Sequence, residues 1–217
     1  PQEMIDAVRD AEWITVFSGA GMSAESGIGT FRDAQSGLWE RFDPTQLASP
    51  QGWAADPALV WGWYQWRARQ VREASPNAGH RALAALGETK TVLVVTQNVD
   101  DLHERAGSGS VSHLHGSLFA PRCSHCAAPY AGIDADPSGA TGEPMEPPTC
   151  PVCLSAVRPG VVWFGENLPA DAWARAESAI RGAQVVLVVG TSGVVYPAAS
   201  LPERAAAAGI PVFECNP

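Results

Sequence analysis

Two cysteine pairs, Cys123-Ser-His-Cys126 and Cys150-Pro-Val-Cys153, use four of the five cysteines in the 217-residue chain, with 23 residues between them. Two C-x2-C knuckles at this spacing supply four thiolates, the tetrahedral set of a structural Zn²⁺. Disulfides are the alternative, which a reducing compartment disfavours, and a redox C-x-x-C would need one pair alone. Four thiolates leave no open position for a substrate, so zinc is assigned to folding, and His125 inside the first knuckle stands outside the ligand set. Residues 134–148, between the knuckles, are rich in Pro, Gly, Asp and Glu and poor in large apolar side chains, so the metal has to hold this module together.

A second set of reactive types precedes the cysteines. The apolar run Val92-Leu93-Val94-Val95 passes directly into Thr96-Gln97-Asn98-Val99-Asp100, and His113-Leu114-His115-Gly116 follows. A strand ending in amides and a carboxylate presents them at the carboxyl edge of a sheet, where open α/β sheets bind ligands. His115, beside Gly116 at the end of a short alternating segment, is the candidate general base among the five histidines. The bland alternative is a ring hydrogen-bonded to a loop carbonyl. His80, near a helix start, is read as structural.

A third set follows the apolar run Trp13–Phe17. Ser18-Gly19-Ala20-Gly21-Met22-Ser23-Ala24 is a Gly-x-Gly-x-x-Ala turn, which serves either as a tight turn alone or as a close backbone approach to a pyrophosphate. An ordinary dinucleotide unit brings its second strand and a ribose-binding acid about 20 residues later. Here the next strongly apolar run begins at Thr91, so a segment is inserted, opening with the loop Glu25–Asp33, of a kind that closes over ligands. Gly190-Thr191-Ser192-Gly193 forms another phosphate-sized nest after the buried-type strand Val185–Val189.

The elements that must position these groups follow from periodicity and caps. Met4, Ile5 and Val8 mark a short amphipathic helix before the first strand. Asp56 as N-cap and Pro57 at the first position open a helix to Glu73 that holds Trp61, Trp63, Tyr64 and Trp66. On it Tyr64 and Arg67 share a face, and the residues three and four away from Arg67 are Trp63, Tyr64, Gln70 and Val71, none a carboxylate. Arg67 either awaits an anionic ligand or snorkels over the tryptophans. Further helices are expected over Asn77–Leu86, Asp100–Arg105, Ala170–Arg181 and Ala198–Ala208, with strands over Gly160–Glu166 and Ile210–Glu214. This is an α/β chain with an accessory module.

A net charge of −9 and a pI near 4.9 argue against direct nucleic-acid binding, which needs a basic patch. The longest apolar runs are of strand length, and no secretory leader opens the sequence, so a cytoplasmic protein without membrane attachment is expected.

Taken together, these motifs resemble those of the sirtuins, NAD-dependent protein deacylases, from about Trp13 to Asn216. The resemblance rests on Gly19-Ala-Gly-Met-Ser-Ala-Glu-Ser-Gly-Ile-Gly-Thr-Phe-Arg32, Thr96-Gln-Asn-Val-Asp-Asp101, His113-Leu-His-Gly116, the four cysteines, Val162-Trp-Phe-Gly-Glu166 and Gly190-Thr-Ser192. It implies a Rossmann-type, doubly wound parallel-sheet NAD domain (1–36, 77–121 and 156–217), a helical insertion (37–76) and a zinc module (122–155), with an acylated protein lysine entering between sheet and small domain. His115 would be the general base, activating a ribose hydroxyl after the acyl oxygen attacks the nicotinamide ribose carbon. Nicotinamide leaves, the acyl group passes to ADP-ribose and free lysine is released, so NAD is consumed and no hydride moves.

By the same resemblance Asn98 and Asp100 would position nicotinamide and its ribose, and Phe31 and Arg32 would line the cofactor loop. Gly19, Ala20, Gly21, Thr191 and Ser192 would hold phosphates and ribose, and Ser23, Glu25, Ile28, Thr30, Gln97, Gly190 and Asn216 complete the cofactor set. Val162, Phe164, Gly165 and Glu166 would run alongside the substrate peptide. Tyr64-x-x-Arg67 resembles the pair in sirtuins that remove acidic acyl groups: Arg67 would pair with the carboxylate of succinyl- or malonyl-lysine and Tyr64 would donate a hydrogen bond to it. Cys123, Cys126, Cys150 and Cys153 would hold one Zn²⁺. The competing implications are a deacetylase, a protein mono-ADP-ribosyltransferase and a silent NAD-sensing module; a monomer is expected. One departure is that sirtuin chains run on past the position of Asn216 with a segment beside the adenine, whereas this sequence stops at Pro217.

Overall fold

The computed structural model describes residues 2–29, 44–131 and 142–216. Four apolar runs and one short alternating segment become the strands β1 (Trp13–Ser18), β2 (Thr91–Thr96), β3 (Val111–His113, the alternating one), β6 (Val185–Val189) and β7 (Val212–Cys215), all paired in parallel in the order β3-β2-β1-β6-β7. The chain winds outward from β1 to β3, then crosses to β6 and β7 on the other side. The order therefore reverses between β1 and β6, and a crevice opens at their carboxyl ends.

Both faces of this sheet are covered, which is why its central strands read as continuous apolar runs. On one face Phe17, Val95, Val186 and Val188 pack against Ala176 and Ile180 of α7 (Ala170–Gly182) and Leu201 and Ala205 of α8 (Ser200–Ala207). On the other, Ile14, Val16, Val94 and Leu187 meet Met4 and Val8 of α1 (Gln2–Asp10) and Leu83 and Leu86 of α5 (Ala78–Leu86). Ile5 falls outside this stripe and is 52% exposed.

A second assembly is built on α2 (Pro44–Leu47), α3 (Pro50–Ala55) and α4 (Pro57–Glu73). α4 starts where its cap chemistry sets it: Asp56 Oδ1 accepts the Leu59 N–H at 2.9 Å, and Pro57 takes the first helical position. Val60, Trp63, Tyr64 and Val71 of α4 pack with Leu47, Leu102, Leu118, Val161 and Trp163. Trp61 packs instead against Cys123, Cys150 and Val157, so this helix joins the cysteine module to the rest. Gly62 permits the junction, because a Cβ there would lie 2.0 Å from the Glu143 carbonyl oxygen, and Met145 N–H donates to the Ala58 carbonyl at 2.9 Å. β4 (Arg122–Cys123) and β5 (Val157–Arg158) form an antiparallel ribbon at the base of the module.

The strand expected over Gly160–Glu166 is not formed. Val161 makes one isolated antiparallel bridge with Gly116, and the chain then turns, with Glu166 N–H donating to the Trp163 carbonyl and Gly165 at φ +87°. The cause is Glu166, whose carboxylate bends back to accept from Arg158 Nη2 at 2.9 Å and from Trp163 N–H at 2.8 Å. Val161 and Trp163 of the segment serve the α4 cluster rather than a sheet. Among the described residues no helix is long and apolar enough to cross a membrane.

Candidate active site

The glycine turn after β1 and the nest after β6 interlock at the crevice. Gly19 N–H donates to the Val189 carbonyl at 3.0 Å and Gly21 N–H to the Gly190 carbonyl at 2.8 Å. A Cβ at Gly19 would lie 2.7 Å from Thr191 Cβ; at Gly190, which has φ +63°, it would lie 2.1 Å from the Met22 nitrogen. The turn continues as a 3₁₀ helix, Ala20–Ser26. Gln97 Nε2 donates to Thr191 Oγ1 at 2.9 Å and Asn216 Nδ2 to the Thr191 carbonyl at 3.2 Å, tying the ends of β2, β6 and β7 together. Around this tie Glu25 and Ser192 are exposed and Ile28 is buried; Thr30, Phe31 and Arg32 lie outside the described residues.

Beside the crevice a polar cluster is sunk into the protein. Asn98 and Asp100 are only 7% and 6% exposed. Asn98 Nδ2 donates to Ser23 Oγ at 3.1 Å, Ser23 Oγ donates to Asp100 Oδ2 at 2.9 Å, and Asp100 Oδ1 accepts the Leu102 N–H at 3.1 Å. Below it Thr96 Oγ1 accepts from Asn98 N–H at 3.0 Å and from Ser18 Oγ at 2.8 Å. With its proton on Thr96, Ser18 Oγ accepts from His103 Nε2 at 2.9 Å, and His103 lies 4.8 Å from the His80 ring, edge to face. Burial, with the neighbouring His80 charge, pushes His103 down to about 4. His80 is structural, as expected: it closes a capping box with the N-cap Asn77, its N–H donating to Asn77 Oδ1 and its Nδ1 accepting from Asn77 N–H, while Asn77 Nδ2 donates to the Met22 carbonyl at 2.7 Å. Ser18, Thr96 and His103 are support residues that sequence reasoning missed. The only signal was two hydroxyls at strand ends, and their meeting needed the β1–β2 register that pairs Ser18 with Thr96.

His115 follows β3 with Nδ1 3.0 Å from the Gln97 carbonyl oxygen. A carbonyl only accepts, so Nδ1 carries the proton and Nε2 is left with its lone pair. Burial holds its pKa below the ordinary histidine value, with the Gln97 hydrogen bond acting the other way. The bland possibility, a ring bonded to a loop carbonyl, is therefore realised at one nitrogen, and that bond leaves the other with its lone pair.

On α4, Tyr64 and Arg67 do share a face, and Trp163 Nε1–H donates to the Tyr64 hydroxyl oxygen at 3.1 Å. Burial raises the Tyr64 pKa, so its own O–H proton stays on to donate. Arg67 stacks 5.6 Å from the Trp63 ring centre and reaches the Gly29 carbonyl at a long 3.5 Å, without an ion-pair partner among the described residues. Desolvation lowers its pKa, opposed by Tyr64 and Asp100. Phe164 is 53% exposed, Val162 N–H donates to the His115 carbonyl at 2.8 Å, and Glu166 is committed to Arg158.

The four thiol sulfurs of Cys123, Cys126, Cys150 and Cys153 all lie within 4.8 Å of one another, two pairs at 3.3 and 3.8 Å. Tetrahedral zinc with Zn–S bonds of about 2.3 Å sets sulfurs about 3.8 Å apart, so the cluster fits the ion, and it is far too open for disulfides. Backbone N–H groups of His125 and Cys126 point at Cys123 Sγ and that of Val152 at Cys150 Sγ, each at 3.4 Å, as anionic sulfur requires.

Comparison with known proteins gives this arrangement a lineage. The Sir2 family model matches residues 19–197. A protein of Methylococcus capsulatus named NAD-dependent protein deacylase is 53% identical over 99% of this chain and 85% of its own. One of the same name from Mycobacterium tuberculosis is 56% identical over 94% of this chain and 85% of its own. Among solved structures, a Sir2 homologue–NAD complex matches with TM-score 0.88 and 44% identity, covering 99% of this chain and 81% of that one. A Sir2 mutant–peptide–NAD complex matches with TM-score 0.83 and 32% identity, covering 99% and 85%. With the family model spanning most of the chain and relatives above half identity, this protein belongs to the Sir2 family, the sirtuins.

Proposed function

We propose that the chain is an NAD-consuming protein-lysine deacylase that prefers acyl groups ending in a carboxylate. The observation that carries the deacylase reading is the His115 ring, held by the Gln97 carbonyl in the tautomer a general base needs, next to the buried Asn98–Ser23–Asp100 cluster. The relatives named for NAD-dependent deacylation and the neighbour solved with NAD support the choice of co-substrate. NAD bound in the crevice supplies the ribose carbon that the acyl oxygen attacks and the hydroxyl whose proton is removed.

The chain's own residues divide the remaining work. Backbone groups of the Gly19–Gly21 turn and the Gly190–Ser192 nest approach the phosphates, and Gly19, Gly21 and Gly190 let the two loops interlock there, since a Cβ on any of them would come under 3.0 Å from the other loop. Asn98 and Asp100, fixed by Ser23, orient the nicotinamide end, and His115 Nε2 takes the proton. The peptide lies along Val162–Gly165, with Phe164 open to it. Zinc on the four cysteines holds the module that supports α4 through Trp61 and does no chemistry. The products are free lysine, nicotinamide and acylated ADP-ribose.

Acidic-acyl preference rests on Arg67, a cation on an aromatic face with Tyr64 beside it, whose O–H remains free to donate because Trp163 fills an acceptor position. A carboxylate there gains a charge-assisted contact that an acetyl group lacks. The test incubates the protein and NAD with matched succinyl-lysine and acetyl-lysine peptides, following nicotinamide release and peptide mass. Faster succinyl removal, lost in Arg67→Ala while acetyl removal largely stays, is the expected result. Faster acetyl removal with Arg67→Ala silent leaves a deacetylase in which Arg67 is a bystander.

A further inference from the structure

His113 is not needed by the chemistry above, yet both of its ring nitrogens are engaged. Nδ1 lies 2.9 Å from the Asn98 carbonyl oxygen and Nε2 lies 2.7 Å from Glu104 Oε1. Neither oxygen carries a proton to offer: a carbonyl only accepts, and Glu104 is held below the usual carboxylate range, burial being outweighed by the His113 hydrogen bond and charge. A neutral imidazole has one N–H and would turn a lone pair on one of these acceptors. The imidazolium satisfies both.

What the ring grips is the loop that carries the site. The Asn98 side chain reaches Ser23, its N–H reaches Thr96, and the preceding carbonyl, that of Gln97, sets the His115 tautomer. We propose that His113 is a positioning residue for this reaction: its imidazolium, clamped between Glu104 and the Asn98 carbonyl, fixes the Gln97–Asn98 segment on which both the Asn98 amide and the His115 base depend.

The surroundings agree in sign. Burial works against the charged ring but is outweighed by Glu104, the Asn98 carbonyl and the charge of Asp100, so the His113 pKa stands above the ordinary value. From α6 (Leu102–Ala106) the titratable groups near it are Glu104 and His103, the latter neutral; from the loop after β2 the group is Asp100. β2 has no titratable side chain, and α7 meets β3 through the Ala172 carbonyl and Ser112 Oγ. The clamp is therefore complete below the raised pKa and released as pH rises through it.

The rate readout rests on the deacylase reading; a ring titration does not. In kcat/KM against pH, the wild type is expected to show an acid limb from His115 and an alkaline limb from His113. Glu104→Gln should lose the alkaline limb, since its amide donates to a neutral Nε2. His113→Asn should also lose it while retaining most of the rate, since its amide donates to the Asn98 carbonyl at any pH. His113→Phe should fall about tenfold or more below the raised pKa, the scale of a lost charge-assisted hydrogen bond, and converge on the wild-type rate above it. NMR titration of the His113 ring, identified by its absence in His113→Asn, should show a raised pKa that drops in Glu104→Gln. An unshifted ring, an alkaline limb persisting in both variants, or a wild-type rate in His113→Phe below the raised pKa would overturn the proposal. If the ring titrates as expected but no acylated peptide is processed, the clamp stands and the deacylase reading falls.

Discussion

His113 and His115 each aim Nδ1 at a backbone carbonyl of the same loop, His113 at Asn98 at 2.9 Å and His115 at Gln97 at 3.0 Å. Two-residue spacing at a strand end puts both rings on one side. Their difference lies at Nε2, which meets Glu104 in His113 and keeps its lone pair in His115. The same two-residue spacing thus gives one ring engaged at both nitrogens and one engaged through Nδ1.

His115→Ala is expected to lower the deacylation rate by about 10²–10⁴-fold, the contribution of a positioned general base. Because burial holds the His115 pKa below its ordinary value, the neutral ring persists to lower pH than a free histidine would allow. The acid limb of the wild-type rate profile should accordingly have its midpoint below the ordinary histidine value, which steady-state nicotinamide release across pH would locate.

Acid stability should report on His103. Its folded pKa of about 4 lies below that of an unfolded histidine, so its stabilising contribution is full above the unfolded value and is lost as pH falls towards about 4. Across that window the native state should lose on the order of 3 kcal/mol from this ring. His103→Gln, which retains a donor for Ser18, should flatten the dependence of denaturation midpoints over the same range.

Metal analysis should find one zinc per chain. Chelation should unfold the cysteine module, because the short β4–β5 ribbon and its few apolar neighbours have little core of their own. Trp61 is buried directly on Cys123 and Cys150, so its exposure should red-shift part of the tryptophan emission. Cys150→Ser should reproduce both effects without chelator.

Local physics made much of this legible beforehand. Asp56 and Pro57 start α4 where a cap and a fixed φ demand, and the C-x2-C spacing brings four sulfurs together. The apolar runs ending in Gly19, Gln97 and Gly190 do meet at one sheet edge. Gly160–Glu166 misled because apolar content over a few residues does not distinguish a sheet strand from a chain buried against a helix. There the decision fell to Glu166 and its partner Arg158.

The sequence by itself determined the parallel α/β core, the cysteine tetrad, the capped aromatic helix and the residue types offered at the strand ends, because periodicity, caps and spacing act within a few residues. Only the tertiary structure decided which acceptor each ring meets, and hence its proton. Ser18 finds Thr96 at a sequence distance of 78 and His103 at 85, and Tyr64 finds Trp163 at 99. A side chain's pKa and tautomer are set by burial and by the atoms opposite it, and no local pattern carries that information.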